Sequence, residues 1–355
     1  MFTGCSPGVH GIFGFTDFIP NSYTICFPNR MAIKAKPYWQ NGGQHVVVNM
    51  PSTFPPKPLN GALVSGFVSL DLKRAVQPKS VLSLVQQCGY QVDVDVTKIR
   101  SSLPLFYQEL RQTLLNRTIA MQQLLDRFNR WTTATFVVTG TDRLLHYQWD
   151  ERFDELAVSY MQLVDESVGK VLKKCGEVPQ VILLSDHGMT KVKKQVMINQ
   201  VLKEIGVLGF DTSNGNVIGS FNTLTRETLM FSLAPGRIYL NTAGRFPHGH
   251  HHIPDDVIRM VKERFMRLQY HGQPVIRKIV NREKVFDGPE MYRAPDFVLI
   301  PEDGFLLSGD VNGSGQVFVD PPSLLNGVHT EEAFVSVKNG CCPDTISEVR
   351  ECIIN

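Results

Sequence analysis

With 355 residues, of which 43% are hydrophobic and 20% are charged, the chain has the composition of an ordinary globular protein that can bury a large core. Its formal net charge of +2 and its lack of a Lys/Arg-rich run exclude the electrostatic footprint of a nucleic-acid-binding protein. The longest apolar runs are strand-sized and fall short of the roughly 20 residues that a membrane-spanning helix requires.

The cysteines and the N-terminal residues predict a cytoplasmic protein. The seven cysteines are odd in number and form no C-x-x-C pair, which fits reduced thiols better than a disulfide framework. The opening residues MFTGCSPG contain neither a basic segment nor an apolar one, so we expect no signal peptide. We therefore expect a cytoplasmic location and no membrane partner.

The pattern of apolar residues predicts strands alternating with helices. In chain order it predicts a strand over His45–Met50, a helix from Leu105 to Phe128, a strand over Thr135–Val138, a helix from about Asp154 to Lys174, a strand over Val181–Leu184, a strand over Arg237–Leu240, a helix from about Asp255 to Leu268 and a strand over Phe297–Ile300. A strand, a helix and a strand, with polar residues after each strand, are typical of a crossover α/β unit. We predict a single α/β domain over 1–355, in which the Gly-, Asn- and Ser-rich stretch 206–232 forms an insertion or long loop.

Five Asp and His residues follow the predicted strands or lie beside glycines. Asp142 and His146 are four residues apart, which places both side chains on one face of a helix. Asp186 and His187 are adjacent at the end of a strand, where they could serve two metal ions or, from a bent backbone, one. His329 lies in a glycine-bearing turn. Mixed carboxylate and imidazole ligands favour Zn, Mn or Fe over Ca or Mg.

Each of these motifs alone is more often a surface pair or the cap of a helix or turn. Their order along the chain and their positions at strand ends together indicate a metal site. In open α/β sheets, sites form outside the carboxyl ends of the strands, which is where these polar groups fall.

Longer segments resemble the alkaline phosphatase superfamily, in particular its type I phosphodiesterase/nucleotide pyrophosphatase-like branch. The string VILLSDHGMT (181–190) resembles the Asp-His-Gly-Met signature of these proteins, VTGTDRLLHYQWD (138–150) their T-D-x-x-x-H element, and 326–337 their G-x-H element. Further blocks resemble the predicted prokaryotic phosphohydrolase/phosphomutase group: 2–15, 236–247 and 294–309. The resemblance runs in order over nearly the whole chain.

This resemblance implies an alkaline-phosphatase-like fold with a central, mostly parallel sheet flanked by helices on both faces. It also implies two divalent metal ions, with zinc as the first expectation and manganese as the second. Asp142, His146 and His329 match the residues that hold one ion, and Asp186 and His187 match two ligands of the other. In such proteins a Thr or Ser attacks phosphorus, and water then releases the phospho-enzyme.

The sequence departs from the family pattern at both ends. The family's first strand, another metal-binding Asp and the nucleophile precede the segment that resembles Phe2–Phe15. We therefore expect a chain that is truncated at its N-terminus and shortened at its C-terminus. We expect its first strand to be missing and its second metal site to be incomplete, and we identify no catalytic nucleophile in it.

Three functional interpretations remain open. The first is a fragment, or a mis-started reading frame, of a metal-dependent phosphohydrolase that is phosphodiesterase- or nucleotide pyrophosphatase-like and acts on a small phosphorylated substrate. The second is a catalytically impaired relative that binds metal or phosphate. The third is a phosphomutase with the same metal pair. We favour the first because the five metal-site residues are intact.

Two other features have competing interpretations. Arg143 follows Asp142 and could contact a substrate phosphate bidentately, but a structural ion pair explains it equally well. The histidine cluster, defined as His248, His250, His251 and His252, could form a physiological metal site. The resemblance instead implies a surface loop before a helix, where the histidines would capture zinc or nickel only adventitiously, and we favour this interpretation.

Overall fold

The computed structural model describes residues 1–69, 71–100, 102–147, 149, 155–178, 180–211, 220–311 and 315–354. The strands are, in chain order, β1 (Asp17–Phe18), β2 (Ile25–Cys26), β3 (His45–Met50), β4 (Gly61–Ser65), β5 (Val76–Gln77), β6 (Thr133–Phe136), β7 (Val181–Leu184), β8 (Gly188–Lys191), β9 (Lys194–Met197), β10 (Met230–Leu233), β11 (Arg237–Leu240), β12 (Gln269–Tyr270), β13 (Gln273–Pro274), β14 (Ile276–Asn281), β15 (Phe297–Pro301), β16 (Phe305–Ser308), β17 (Phe318–Val319), β18 (Gly327–Thr330) and β19 (Val335–Lys338). The α-helices are α1 (Pro7–His10), α2 (Leu72–Ala75), α3 (Leu82–Gln87), α4 (Leu103–Arg127), α5 (Gly140–Tyr147), α6 (Glu155–Cys175), α7 (Ile198–Glu204), α8 (Asp255–Met266), α9 (Arg282–Val285) and α10 (Val349–Ile354).

These elements confirm the α/β class and most of the predicted elements. Strands β3, β7 and β11 have the predicted bounds, and helices α4, α6 and α8 differ from the predicted ones by a few residues. The long apolar stripes of these helices and the apolar runs of these strands make both types of element easy to predict. None of the described helices combines the length and the apolar character that a membrane span needs.

The chain forms two compact units, each built from segments that are distant in sequence. Unit 1 comprises Met1–Gly4, Asn29–Lys191 and Leu324–Asn355, and unit 2 comprises Cys5–Pro28 and Val192–Ser323. Both units lie within the range 1–355 for which a single α/β domain is predicted, and that domain assignment stays a prediction.

The stretch 206–232, which we predict to be an insertion or long loop, lies in unit 2, and its residues 212–219 lie outside the described part of the chain. Its described part contains a 3-10 helix over Phe221–Thr223 and the beginning of β10, so it is not wholly a loop.

Unit 1 contains a mixed sheet in the order β5-β4-β3-β6. Strand β3 is parallel to β4 and β6, and β5 is antiparallel to β4. Alternate residues of β3 are buried on opposite faces: Val46 and Val48 share a core cluster with Met121 of α4, whereas Val47 packs in another cluster with Trp39. Burial on both faces explains why β3 has a continuous apolar run.

Two pairs of short strands complete the part of unit 1 that matters for the site. Strand β7 pairs with β19 and β8 pairs with β18, both antiparallel. The predicted crossover unit through α6 therefore needs correction, because β6 and β7 belong to different sheets among the described strands. An apolar run predicts that a segment is a strand, but it does not specify which other strand that segment pairs with.

Unit 2 has its own sheets and its own core. Its largest sheet is antiparallel, in the order β10-β11-β15-β14, and a three-stranded sheet has the order β16-β9-β17. Its core cluster contains Phe231, Phe265 and Phe297, all nearly inaccessible to solvent.

Candidate metal centre

Helix α5 carries the first two residues of the site. It starts at Gly140, four residues after β6 ends, and the predicted spacing places Asp142 and His146 on one face. The Oδ1 atom of Asp142 lies 3.3 Å from Nε2 of His146. One turn of helix thus brings a carboxylate oxygen and an imidazole nitrogen to the same place.

Strand β18 contributes the third residue, His329. Its Nε2 atom lies 3.0 Å from Oδ1 of Asp142 and 3.0 Å from Nε2 of His146. Gly327 allows this close approach, since a Cβ atom at that position would lie 2.0 Å from the carbonyl oxygen of Leu145. The glycine of the Gly-x-His element is therefore required for the packing of β18 against α5.

The three side chains offer one oxygen and two nitrogens, all within 4.8 Å of one another. Three protein ligands of this mixed type are characteristic of zinc sites that keep a position open for water or substrate. The side chain of His329 is 45% exposed, so the site faces solvent. By the type and the convergence of its donor atoms, the triad of Asp142, His146 and His329 fits a divalent transition-metal ion.

Backbone carbonyl groups determine which nitrogen of two histidines faces the site. Nδ1 of His146 lies 2.9 Å from the carbonyl oxygen of Gly327, and Nδ1 of His187 lies 3.1 Å from that of Gly188. A carbonyl only accepts hydrogen bonds, so each Nδ1 carries a proton and donates it. In the neutral rings the Nε2 lone pairs are therefore available for a metal ion, as is usual for histidine ligands.

His187 lies beside the triad, and Asp186 points towards solvent. The ring of His187 stacks on that of His329 at 3.7 Å between centroids, and its Nε2 atom is 3.8 Å from Oδ1 of Asp142. The Asp186 side chain is 74% exposed, with its Oδ1 atom 3.6 Å from Nε2 of His187. The two residues thus offer a pair of donor atoms next to the triad, and a second ion there stays a prediction.

The charges within the triad reinforce one another. Burial disfavours the charged form of Asp142, but hydrogen bonds and positive charge from His146 and His329 outweigh it and lower the pKa of the carboxyl. Burial also disfavours the charged form of His146, yet the hydrogen bond and the charge of Asp142 raise the pKa of its imidazole. The site therefore favours an ionised carboxylate next to a positive charge. A bound metal cation would supply this positive charge in place of the imidazole proton.

Arg143, predicted as a substrate contact, makes ion pairs within the protein. Its Nη2 atom lies 2.6 Å from Oδ2 of Asp93, and its Nη1 atom lies 3.3 Å from Oδ2 of Asp142. Sequence reasoning did not identify Asp93, because this residue is 50 positions from Arg143 and lies in no motif. The structure therefore favours the structural interpretation of Arg143, whereas its contact with a substrate stays a prediction.

The sequence matches the type I phosphodiesterase/nucleotide pyrophosphatase family over residues 1–323. The chain belongs to this family, whose members hydrolyse phosphate esters such as those of nucleotides. The sequence matches no curated protein.

Three solved structures illustrate what the chain is similar to. Murine ectonucleotide pyrophosphatase/phosphodiesterase 5 is 14% identical, with a TM-score of 0.47 over 93% of this chain and 70% of that one. The human protein of the same name is 12% identical, with a TM-score of 0.46 over 95% and 74%. Wild-type alkaline phosphatase PafA is 13% identical, with a TM-score of 0.48 over 90% and 77%.

Proposed function

We propose that this chain is a metal-dependent phosphohydrolase that cleaves phosphodiester or nucleotide pyrophosphate bonds in small phosphorylated substrates. The observation that carries the proposal is the convergence of Oδ1 of Asp142 with the Nε2 atoms of His146 and His329. Membership of a phosphodiesterase family supports the reaction class.

The triad would hold one divalent ion, zinc in the first instance or manganese, and Asp186 and His187 would contribute to a second. Such ions neutralise phosphoryl oxygens and activate the nucleophile. The residues of the chain have distinct tasks: Asp142 supplies negative charge, and the Nδ1 hydrogen bond of His146 keeps its Nε2 atom directed at the site. The nucleophile is expected to be a Thr or Ser, and we assign it to none of the described residues.

A cytoplasmic location forms part of the same proposal. Its support is that all seven cysteines are free thiols.

The test combines metal content with hydrolysis of bis(p-nitrophenyl) phosphate in the presence of zinc or manganese. We expect Asp142→Ala and His329→Ala to remove the bound ion, because each loses an atom that faces it. Any metal-dependent rate should fall by at least about 100-fold, since loss of a group that merely orients a ligand already costs about 10- to 100-fold. The matched control is His251→Ala, which removes an exposed histidine of the histidine cluster in unit 2 and should change neither quantity.

Each outcome bears on a different part of the proposal. Equal metal content and equal rates in the wild type and both triad variants would contradict it. Triad-dependent metal binding without hydrolysis of either a diester or a monoester would contradict the catalytic part of the proposal and leave the metal-binding part standing.

A further inference from the structure

Asp93 and Arg143 form an ion pair beside the triad, and neither residue belongs to the triad itself. We propose that Asp93 and Arg143 are a positioning pair for the candidate metal centre, in which Arg143 orients Asp142 and Asp93 holds Arg143. The proposal rests on the proposed function, since it concerns the affinity of the triad for a divalent ion.

The guanidinium group of Arg143 is held from three directions. Its Nη2 and Nε atoms lie 2.6 and 3.2 Å from Oδ2 of Asp93. Its Nη1 atom lies 3.3 Å from Oδ2 of Asp142. Its plane lies over the ring of Phe67, 4.6 Å from the centroid. Edge contacts to carboxylates combined with an aromatic ring beneath the plane suit arginine and not lysine.

As a result of these contacts, the two carboxylate oxygens of Asp142 have different partners. Oδ2 interacts with Arg143, while Oδ1 lies 3.0 Å from Nε2 of His329 and 3.3 Å from that of His146. The terminal torsion of an aspartate is soft, so a carboxylate without such a partner takes a broad range of orientations. Arg143 therefore keeps Oδ1 directed at the two histidines.

Asp93 also compensates the charge of Arg143. A guanidinium adjacent to a metal ligand repels an incoming cation, and this repulsion is strong where water is partly excluded. The side chains of Asp93 and Arg143 are 21% and 18% exposed, so solvent screens them only in part. The carboxylate of Asp93 offsets the positive charge while leaving the geometry of Arg143 intact.

A buried arginine of α4 fixes the backbone on both sides of this pair. Arg117 is 3% exposed and donates from Nε to the carbonyl of Gln91 at 3.0 Å and from Nη2 to that of Val92, directly before Asp93. Its Nη1 atom donates to the hydroxyl of Thr139 at 2.9 Å, directly before α5. One side chain thus ties the Asp93 loop to the start of the helix that carries Arg143.

The experiment measures the dissociation constant of zinc, by competition with a chromogenic chelator, on folded metal-free protein. We expect Asp93→Asn and Arg143→Lys each to weaken zinc binding by about 10- to 100-fold, as loss of a group that orients a metal ligand commonly does. The control is Asp95→Asn, which changes an exposed carboxylate two residues away that accepts hydrogen bonds from Thr97.

A double variant separates positioning from general damage. If Asp93 acts through Arg143, Asp93→Asn combined with Arg143→Lys should weaken binding by less than the product of the two single effects. Unchanged zinc affinity in Arg143→Lys would overturn the proposal, and this variant decides the question alone if Asp93→Asn does not fold. Asp142→Ala serves as the reference: if it also retains zinc, the proposed function fails, whereas if it alone loses zinc, only the positioning pair fails.

Discussion

At the scale of single residues, the candidate metal centre depends on contacts between distant segments, because His329 and Asp93 both reach helix α5 from other parts of the chain. Asp142 and His146 were predictable because helical spacing is local, and His329 because a glycine precedes it in a known element. Asp93 was not predictable, since only the tertiary structure brings it to Arg143. The orientation of a ligand depends on contacts between distant segments, and these leave no pattern in one sequence.

A second prediction at the scale of single residues concerns His45. It is 3% exposed in β3, where its Nε2 atom donates to the carbonyl of Gly42 and its Nδ1 atom accepts from the hydroxyl of Thr133 at 2.8 Å. Burial lowers its pKa below the ordinary value of about 6.5, and the hydrogen bond to Gly42 only partly opposes this.

The neutral imidazole of His45 therefore stabilises the folded protein at neutral pH. The unfolded chain binds a proton as the pH falls through about 6.5, but the folded chain does not until the pH is lower, so stability is lost across that interval. We expect the unfolding free energy of His45→Gln, measured by urea titration, to fall less between about pH 7.5 and pH 5 than that of the wild type. A parallel pH dependence in both proteins would contradict this, because it would show that His45 takes up its proton as readily in the folded state as in the unfolded one.

At the scale of elements, the position of α5 determines the site. The helix begins at Gly140, where an added Cβ would lie 1.8 Å from the hydroxyl of Tyr160, a side chain 1% exposed. Absence of a side chain at Gly140 thus allows α5 to pack closely on α6. The sequence predicted the spacing of Asp142 and His146 on a helix, but this close approach became visible only with α6 in place.

Gly140→Ala should consequently displace the start of α5. We expect a loss of about 1–3 kcal/mol in the free energy of unfolding, typical of overpacking, together with weaker zinc binding. Gly169→Ala is the matched control, because Gly169 lies inside α6 with no heavy atom within 4 Å of the added Cβ. This control should gain up to about 1 kcal/mol from helix propensity. Equal stability of the two variants in denaturant titrations would refute the close-packing argument.

At the scale of the whole molecule, composition and patterning predict the α/β class, whereas they give no sign of the division into two units. Unit 2 combines Cys5–Pro28 with Val192–Ser323, so its boundaries are not marked by a single linker in the sequence. The pairing of β7 with β19 likewise joins segments about 150 residues apart, which apolar periodicity cannot specify. All five predicted metal-site residues nevertheless lie in unit 1.

The central claim is that Asp142, His146 and His329 bind a divalent metal ion, and anomalous diffraction at the zinc edge tests it most directly. Crystals grown with one to two equivalents of zinc should show an anomalous peak about 2.0–2.2 Å from Oδ1 of Asp142 and from both Nε2 atoms. The Asp142→Ala variant should lack that peak. Anomalous signal confined to the histidine cluster, or an unchanged peak in the variant, would contradict the claim.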